Sequence, residues 1–311
     1  MTPTPRDLRL PAGKIVVTGA TGFIGTWLLR SLASVGRASD VVAVSRRGPH
    51  KADLHDPSEA EAVIRDARPV VLFHLAGLID SQNLDDLYAS NVVTTRHLLD
   101  ATLKHAPGCR VVVPGSAAEY GRVPQADLPI SEDRVAAPLV PYGLAKMWQT
   151  ATARYFAERG ANVVVARLFN LVGEGASTRL SVGAFAEQLR RIKKGDQEPR
   201  IIVGDLTPRR DFIDVADACA ALLALAAIPE METYNVCRGS SISMAEVLEM
   251  MVRESGLNVE IAVDAGRMRH RAEIPDSFGN PGRLHAATGW TPLIPLRESL
   301  ARMLAVPSAV R

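Results

Sequence analysis

A short β-rich run, Lys14-Ile15-Val16-Val17-Thr18, passes without a linker into Gly19-Ala20-Thr21-Gly22-Phe23-Ile24-Gly25, and an amphipathic stretch with Trp27, Leu28, Leu29 and Leu32 follows. Strand, glycine turn and helix in immediate succession leave few folds open. Glycines permit a tight turn and a close backbone approach, while the free N–H groups at the start of the helix can meet the charge of a pyrophosphate. The stretch therefore reads as the first βα unit of a dinucleotide-binding sheet, with Gly19, Thr21, Gly22, Phe23, Ile24 and Gly25 in its binding loop. The glycine spacing is G-x-x-G-x-x-G, not the commoner G-x-G-x-x-G.

The remainder of the first half keeps the same alternation. Val41-Val42-Ala43-Val44 reads as a strand ending in Ser45-Arg46-Arg47. An acidic residue there would suit the free 2′-hydroxyl of NAD; Arg46 and Arg47 suit a 2′-phosphate, so NADP(H) is favoured over NAD(H). Asp53 and Leu54 are expected to border the adenine. Residues 58–67 read as a helix, and Pro69-Val70-Val71-Leu72-Phe73 as a fully buried strand running into His74-Leu75-Ala76-Gly77. Small residues after that strand leave room for a cofactor beside Leu75, Ala76 and Gly77. An apolar-striped helix over 91–105 and a strand from Arg110 to Val113 follow, the latter ending in Pro114-Gly115-Ser116. The strand over 162–168 is expected to close the sheet. Strands alternating with helices imply an α/β fold with a doubly wound parallel sheet.

Pro141-Tyr142-Gly143-Leu144-Ala145-Lys146 places a phenol and an ammonium four residues apart at the start of a helix. Proline suits the first helical position, and residues i and i+4 share a face, so Tyr142 and Lys146 can act on one small volume. A nearby cation favours the tyrosinate and lowers the phenol's pKa, which makes the pair a proton-transfer device. Ser116, at the carboxyl end of its strand, stands where open α/β sheets bind ligands and can reach the same reacting oxygen. The helix carries Leu144, Trp148, Ala151 and Tyr155 on one stripe.

With 311 residues, 47% apolar and 23% charged, the chain has a globular composition and no apolar run of membrane-spanning length. Its N-terminal segment is polar and Pro-rich, unlike a signal peptide, so a cytoplasmic protein is expected. A net charge of +2 gives no reason to expect nucleic acid as a partner. Cys109, Cys219 and Cys237 are few and widely spaced, and read as small core residues, neither a disulfide framework nor a metal site. Arg190, Arg191, Lys193 and Lys194 read as a solvated helix face.

Gly19-x-x-Gly22-x-x-Gly25, Ser116, Tyr142-x-x-x-Lys146 and Arg167-Leu168-Phe169-Asn170, in that order, resemble the extended short-chain dehydrogenase/reductases, the NAD-dependent epimerase/dehydratase family. Further on, Glu198 to Leu206, Arg209-Arg210-Asp211-Phe212-Ile213-Asp214-Val215, Tyr234-Asn235-Val236-Cys237 and Ala286-Ala287-Thr288-Gly289-Trp290 look like the GDP-4-dehydro-6-deoxy-D-mannose reductases within it. The likeness spans about residues 14–304. It implies a dinucleotide-binding domain of residues 1–170 plus about 211–236, and a smaller substrate domain of about 171–210 plus 237–311. It also implies that Tyr142 is the proton donor or acceptor, that Lys146 holds the nicotinamide ribose, and that Ser116 bonds the sugar oxygen. Asn170 and Arg210 match positions that contact the substrate diphosphate; Arg179 and Arg269 are weaker candidates, since Arg267-Met268-Arg269-His270-Arg271 departs from the pattern. A homodimer through helices matching 91–105 and 141–159 is the implied assembly.

One departure narrows the reaction. Related sugar-nucleotide dehydratases carry an acidic residue where this chain has Ala118, and alanine cannot remove a carbon-bound proton. Glu119 is displaced by one residue, with a surface or substrate-hydroxyl role open. The expected reaction is therefore NADPH-dependent reduction of the C4 ketone of a nucleotide-linked 4-keto-6-deoxyhexose, without a metal. A nucleotide-sugar 4-epimerase with tightly held NAD is the nearest alternative, and a non-catalytic NAD(P)-binding sensor is the alternative of another class.

Overall fold

The computed structural model describes residues 9–79, 81–264, 266 and 274–305. The first half alternates strand and helix: β1 Ile15–Thr18, α1 Phe23–Ser34, β2 Val41–Ser45, a short β3 His50–Lys51, α2 Pro57–Ala67, β4 Val71–His74, α3 Leu84–Tyr88, α4 Thr94–His105, β5 Arg110–Ser116, α5 Pro141–Ala157 and β6 Val163–Leu168. A π-helical turn, Ala89–Val93, joins α3 to α4. Local chemistry explains the starts of the helices. Asp56 caps α2 by accepting from Ser58 N at 2.8 Å ahead of Pro57, and Pro141 opens α5.

The second half contributes β7 Asn170–Val172, α6 Ser181–Lys194, β8 Arg200–Val203, β9 Arg209–Arg210, β10 Phe212–Asp214, α7 Val215–Ala227, β11 Thr233–Val236, β12 Ile242–Ser243, α8 Met244–Ser255, β13 Glu260–Val263, β14 Asp276–Ser277, α9 Gly282–Thr288 and α10 Leu296–Ala305. The main sheet has seven parallel strands in the order β11-β6-β5-β4-β1-β2-β3. The strand over 162–168 therefore does not close it. β11, from much later in the chain, pairs with β6 through Thr233↔Val165 to Val236↔Leu168 and forms that edge. Its residues Thr-Tyr-Asn-Val are too polar to announce a strand that is buried along its whole length.

Both faces of the sheet are covered. On one, α1 and α7 pack with Ile15, Val17, Phe73, Val112 and Val164; on the other, α2, α4 and α5 pack with Val16, Leu72, Val111 and Val113. α7 is buried nearly all round, as its VADACAALLALAA sequence requires. A separate core gathers Val182, Phe185 and Leu189 of α6, Val247, Leu248 and Met251 of α8, and Leu300 and Met303 of α10. Phe23, at the start of α1, packs against this core and the main one. Adjacent residues of β10 divide between them: Phe212 joins the second core and Ile213 the first.

One expectation about a surface changes, and one left open is decided. Arg190 is buried and donates to Met303 O at 2.5 Å and to Glu187, so only Arg191, Lys193 and Lys194 of that basic cluster face solvent. The stripe of α5 with Leu144, Trp148, Ala151 and Tyr155 points away from the sheet, and Gly143, Ala145, Lys146, Gln149, Thr150, Ala153 and Phe156 point inward. The three cysteines are free and buried, as expected. Among the described residues no helix is long and apolar enough to cross a membrane. Leu222→Ala in α7, a fully buried site, is expected to lower stability by about 2–5 kcal/mol in urea unfolding.

Candidate active site

The turn after β1 is shaped by the absence of side chains. Gly19 has φ +64°, and a Cβ there would lie 2.7 Å from Ala76 N and from Leu75 O. At Gly25 a Cβ would lie 2.2 Å from Gly19 O, so the turn and the first turn of α1 close on each other. Gly22 caps α1 without a side chain; Thr21 and Gly22 are exposed, and Phe23 and Ile24 half-buried. Leu75, Ala76 and Gly77 follow β4, and Ala76 N donates to Thr18 Oγ1 at 3.1 Å. Arg46 and Arg47 occupy the exposed turn after β2, beside Ser45, whose buried hydroxyl has no partner among the described residues. Asp53 is exposed, with its N–H donating to Glu59 Oε2 at 2.7 Å, whereas Leu54 is buried and its carbonyl meets His97 Nδ1 at 3.1 Å. A helix start without a side-chain cap, a backbone cradle that tolerates no Cβ and an unpartnered hydroxyl at the adjoining strand end fit a phosphate-bridged dinucleotide.

Ser116, Tyr142 and Lys146 come together at the carboxyl end of β5. The Ser116 and Tyr142 hydroxyls are hydrogen-bonded to each other. Tyr142 is half-buried, and desolvation pushes its pKa up to about 12, against the lowering effect of the Ser116 hydrogen bond. Lys146, with only 6% of its surface exposed, donates to Pro114 O at 2.5 Å and to Gln149 Oε1. Burial brings its pKa down to about 8, with Glu119 acting in the opposite direction. The sequence led us to expect a lysine-lowered tyrosine; here desolvation shifts Tyr142 upward instead.

Glu119 is not on the surface. It is fully buried, accepts from Ser116 N at 2.7 Å and pairs with Arg167 Nε at 2.9 Å, on the neighbouring strand β6. Ser116 in turn accepts from Ala118 N at 3.2 Å, so Ser116 and Glu119 form a reciprocal cap on the turn that follows β5. Arg167 also donates to Glu132 O and stacks over Tyr120, its Cζ 4.6 Å from the ring centroid. Tyr120 donates to Asn235 Oδ1 at 2.7 Å. These interactions hold Ser116 from behind, and composition and spacing gave no sign of Asn235 or Glu132. Arg167, an arginine in an otherwise apolar strand, was the available signal.

Asn170 and Arg210, the pair expected to meet a diphosphate, fall close together because Asn170 N and Nδ2 both donate to Asp211 O, at 3.1 and 2.9 Å. Arg210 Nη1 donates to Ile274 O at 2.6 Å, next to β14. Arg179 is exposed in the turn before α6, and Arg269 lies outside the described residues. A cavity of about 420 Å³ opens between residues 122–125 and β14, lined by Arg122, Gln125, Arg134 and Asp276 among others. One buried Asp276 carboxylate oxygen there reaches no donor among the described residues.

Residues 15–237 match the family described as NAD dependent epimerase/dehydratase. The chain is 32% identical over 297 residues to the GDP-6-deoxy-D-mannose reductase of Pseudomonas aeruginosa, an alignment covering 94% of this chain and 96% of that protein. The structure of RMD from Pseudomonas aeruginosa complexed with NADPH superposes with a TM-score of 0.85 at 31% identity, over 94% of this chain and 98% of that one. MoeE5 in complex with UDP-glucuronic acid and NAD gives a TM-score of 0.81 at 29% identity, again over 94% and 98%.

Glu119→Leu should leave Arg167, which is 3% exposed, without its carboxylate. A loss of about 3–5 kcal/mol in urea unfolding is expected. A loss under 1 kcal/mol would mean that the pair does not brace the strand end.

Proposed function

This chain belongs to the NAD dependent epimerase/dehydratase family, and from that premise we propose that it reduces the C4 ketone of a nucleotide-linked 4-keto-6-deoxyhexose, with GDP-4-keto-6-deoxy-D-mannose as substrate and NADPH as reductant. It is an NAD(P)-dependent oxidoreductase of the kind that modifies nucleotide sugars. The observation that carries the finer reading is the convergence of Ser116, Tyr142 and Lys146 at the end of β5, with Ala118 where an elimination would need a base. The P. aeruginosa reductase and its NADPH complex support the choice of sugar and cofactor.

The bound nicotinamide supplies hydride chemistry. The residues of this chain supply the rest. Gly19, Gly22 and Gly25 with the start of α1 would hold the pyrophosphate, and Arg46 and Arg47 a 2′-phosphate. Tyr142 gives its proton to the oxygen at C4, and Ser116 donates a hydrogen bond to that oxygen as its charge develops. The Lys146 ammonium offsets the charge left on the phenolate and, one turn along α5, is positioned for the ribose. Asn170 and Arg210 would meet the diphosphate, with the cavity beside β14 receiving the sugar nucleotide. The two cores correspond in this reading to a dinucleotide domain and a substrate domain.

The half-exposed stripe of α5 supports a homodimer as the assembly. Trp148 packs edge-on against Tyr88 at 5.5 Å between centroids, and Tyr155 is 53% exposed. Trp148→Arg is expected to halve the mass measured by light scattering; an unchanged mass would remove this face from the interface.

Purified protein with NADPH and GDP-4-keto-6-deoxy-D-mannose should consume the reduced nicotinamide, and Tyr142→Phe should lower kcat about 10²–10⁴-fold. Lys146 is an ammonium below about pH 8 and neutral above it, so kcat/KM should fall as pH rises through 8. Cofactor binding without turnover would refute the substrate assignment.

A further inference from the structure

Behind Lys146 runs a chain of buried polar groups that the reaction as described does not use. Gln149 Nε2 donates to Thr95 Oγ1 at 2.8 Å, His74 Nε2 lies 3.0 Å from the same oxygen, and Thr95 Oγ1 lies 2.5 Å from Asn91 O. At its far end, Thr18 Oγ1 is 2.9 Å from His74 Nδ1 and accepts from Ala76 N. Thr18, His74, Thr95 and Gln149 are each at most 1% exposed.

The hydrogens in this chain have one assignment. A carbonyl can only accept, so the Thr95 hydroxyl gives its hydrogen to Asn91 O and accepts from both Gln149 and His74. His74 therefore carries its proton on Nε2 and accepts at Nδ1 from the Thr18 hydroxyl. Burial and the nearby Lys146 hold the imidazole neutral, its pKa brought down to about 3. The Gln149 amide cannot rotate end for end without setting its NH₂ against the ammonium, so its oxygen faces Lys146. With every hydrogen committed, the chain is a brace, not a proton wire. It runs from the residue before the glycine turn to the lysine on α5.

We propose that Gln149 is a positioning residue for Lys146, held in one orientation by Thr95 and His74, and that its neutral amide lets the lysine be grasped at this site without fixing its charge. The amide accepts one ammonium hydrogen and Pro114 O a second, which leaves the third for the face shared with Tyr142. A carboxylate at 149 would make the same contact and add a full negative charge, stabilising the ammonium; a thioether would remove the acceptor and destabilise it. The other ionisable groups around Lys146 are Glu119 on the turn after β5, with Arg167 of β6 paired to it, neutral His74 at the end of β4, and Tyr142 on α5. All remain in place in either variant. In Gln149→Glu the Thr95 hydroxyl can turn its hydrogen toward the new oxygen.

The inference rests on Lys146 belonging to the reaction site, and its test does not require turnover. Proteins labelled at lysine ¹³Cε, with the Lys146 signal assigned by its loss in Lys146→Met, are titrated by NMR as wild type, Gln149→Glu and Gln149→Met. The Lys146 midpoint is expected to move up by at least one pH unit in Gln149→Glu and down in Gln149→Met. Where turnover is measurable, the alkaline limb of kcat/KM should follow in the same two directions. Loss of packing alone would move both variants alike. A midpoint unchanged in both, or shifted to the same side in both, overturns the proposal. Opposite shifts in a protein that reduces no 4-keto sugar would uphold the brace while refuting the substrate.

Discussion

One positive charge, the Lys146 ammonium, sits in the interior at the carboxyl ends of β4 and β5, and much of the nearby structure receives it. Removing an ammonium from water is costly, and the protein offsets that cost with a backbone carbonyl, an amide oxygen and the more distant Glu119. The compensation is partial, which is why the lysine's pKa falls and why its protonation can respond near physiological pH.

The same economy governs Ser116. Its backbone is held by Glu119, Glu119 is neutralised by Arg167, and Arg167 is shared with Tyr120 and Glu132. In the proposed reaction the Ser116 hydroxyl meets a developing charge, a task that benefits from a rigid support, and a buried ion pair between adjacent strands provides one. Register is the underlying cause. Ser116 is paired with Leu168 across β5 and β6, which puts Arg167 within reach of the turn that follows.

The parts of this design that follow local rules were legible in the sequence. The β1–turn–α1 unit, the proline-started helix and the alternation of buried strands depend on short-range geometry, and they appear where the residues indicated. Contacts made by chain returning from far away were not legible. β11 edges the sheet although Tyr234 and Asn235 suggested nothing of the kind, and Glu119 is buried because Arg167 arrives 48 positions later. Which face of α5 meets the sheet was open in the sequence for a related reason. Its apolar stripe looks outward, while the inward face carries Lys146, Gln149 and Thr150, polar groups that a hydrophobic pattern assigns to solvent. Polar residues packed between a helix and a sheet leave a hydrophobic pattern without a clear inward face.

The proposed reaction requires hydride to reach C4 of the sugar with a proton from Tyr142. Its most direct test uses NADPH deuterated at the transferred position, with GDP-4-keto-6-deoxy-D-mannose and NMR of the product. One deuterium at C4 for each NADPH consumed, absent with Tyr142→Phe, is the predicted result. A product lacking deuterium at C4, or interconversion of C4 epimers without net loss of NADPH, would contradict it.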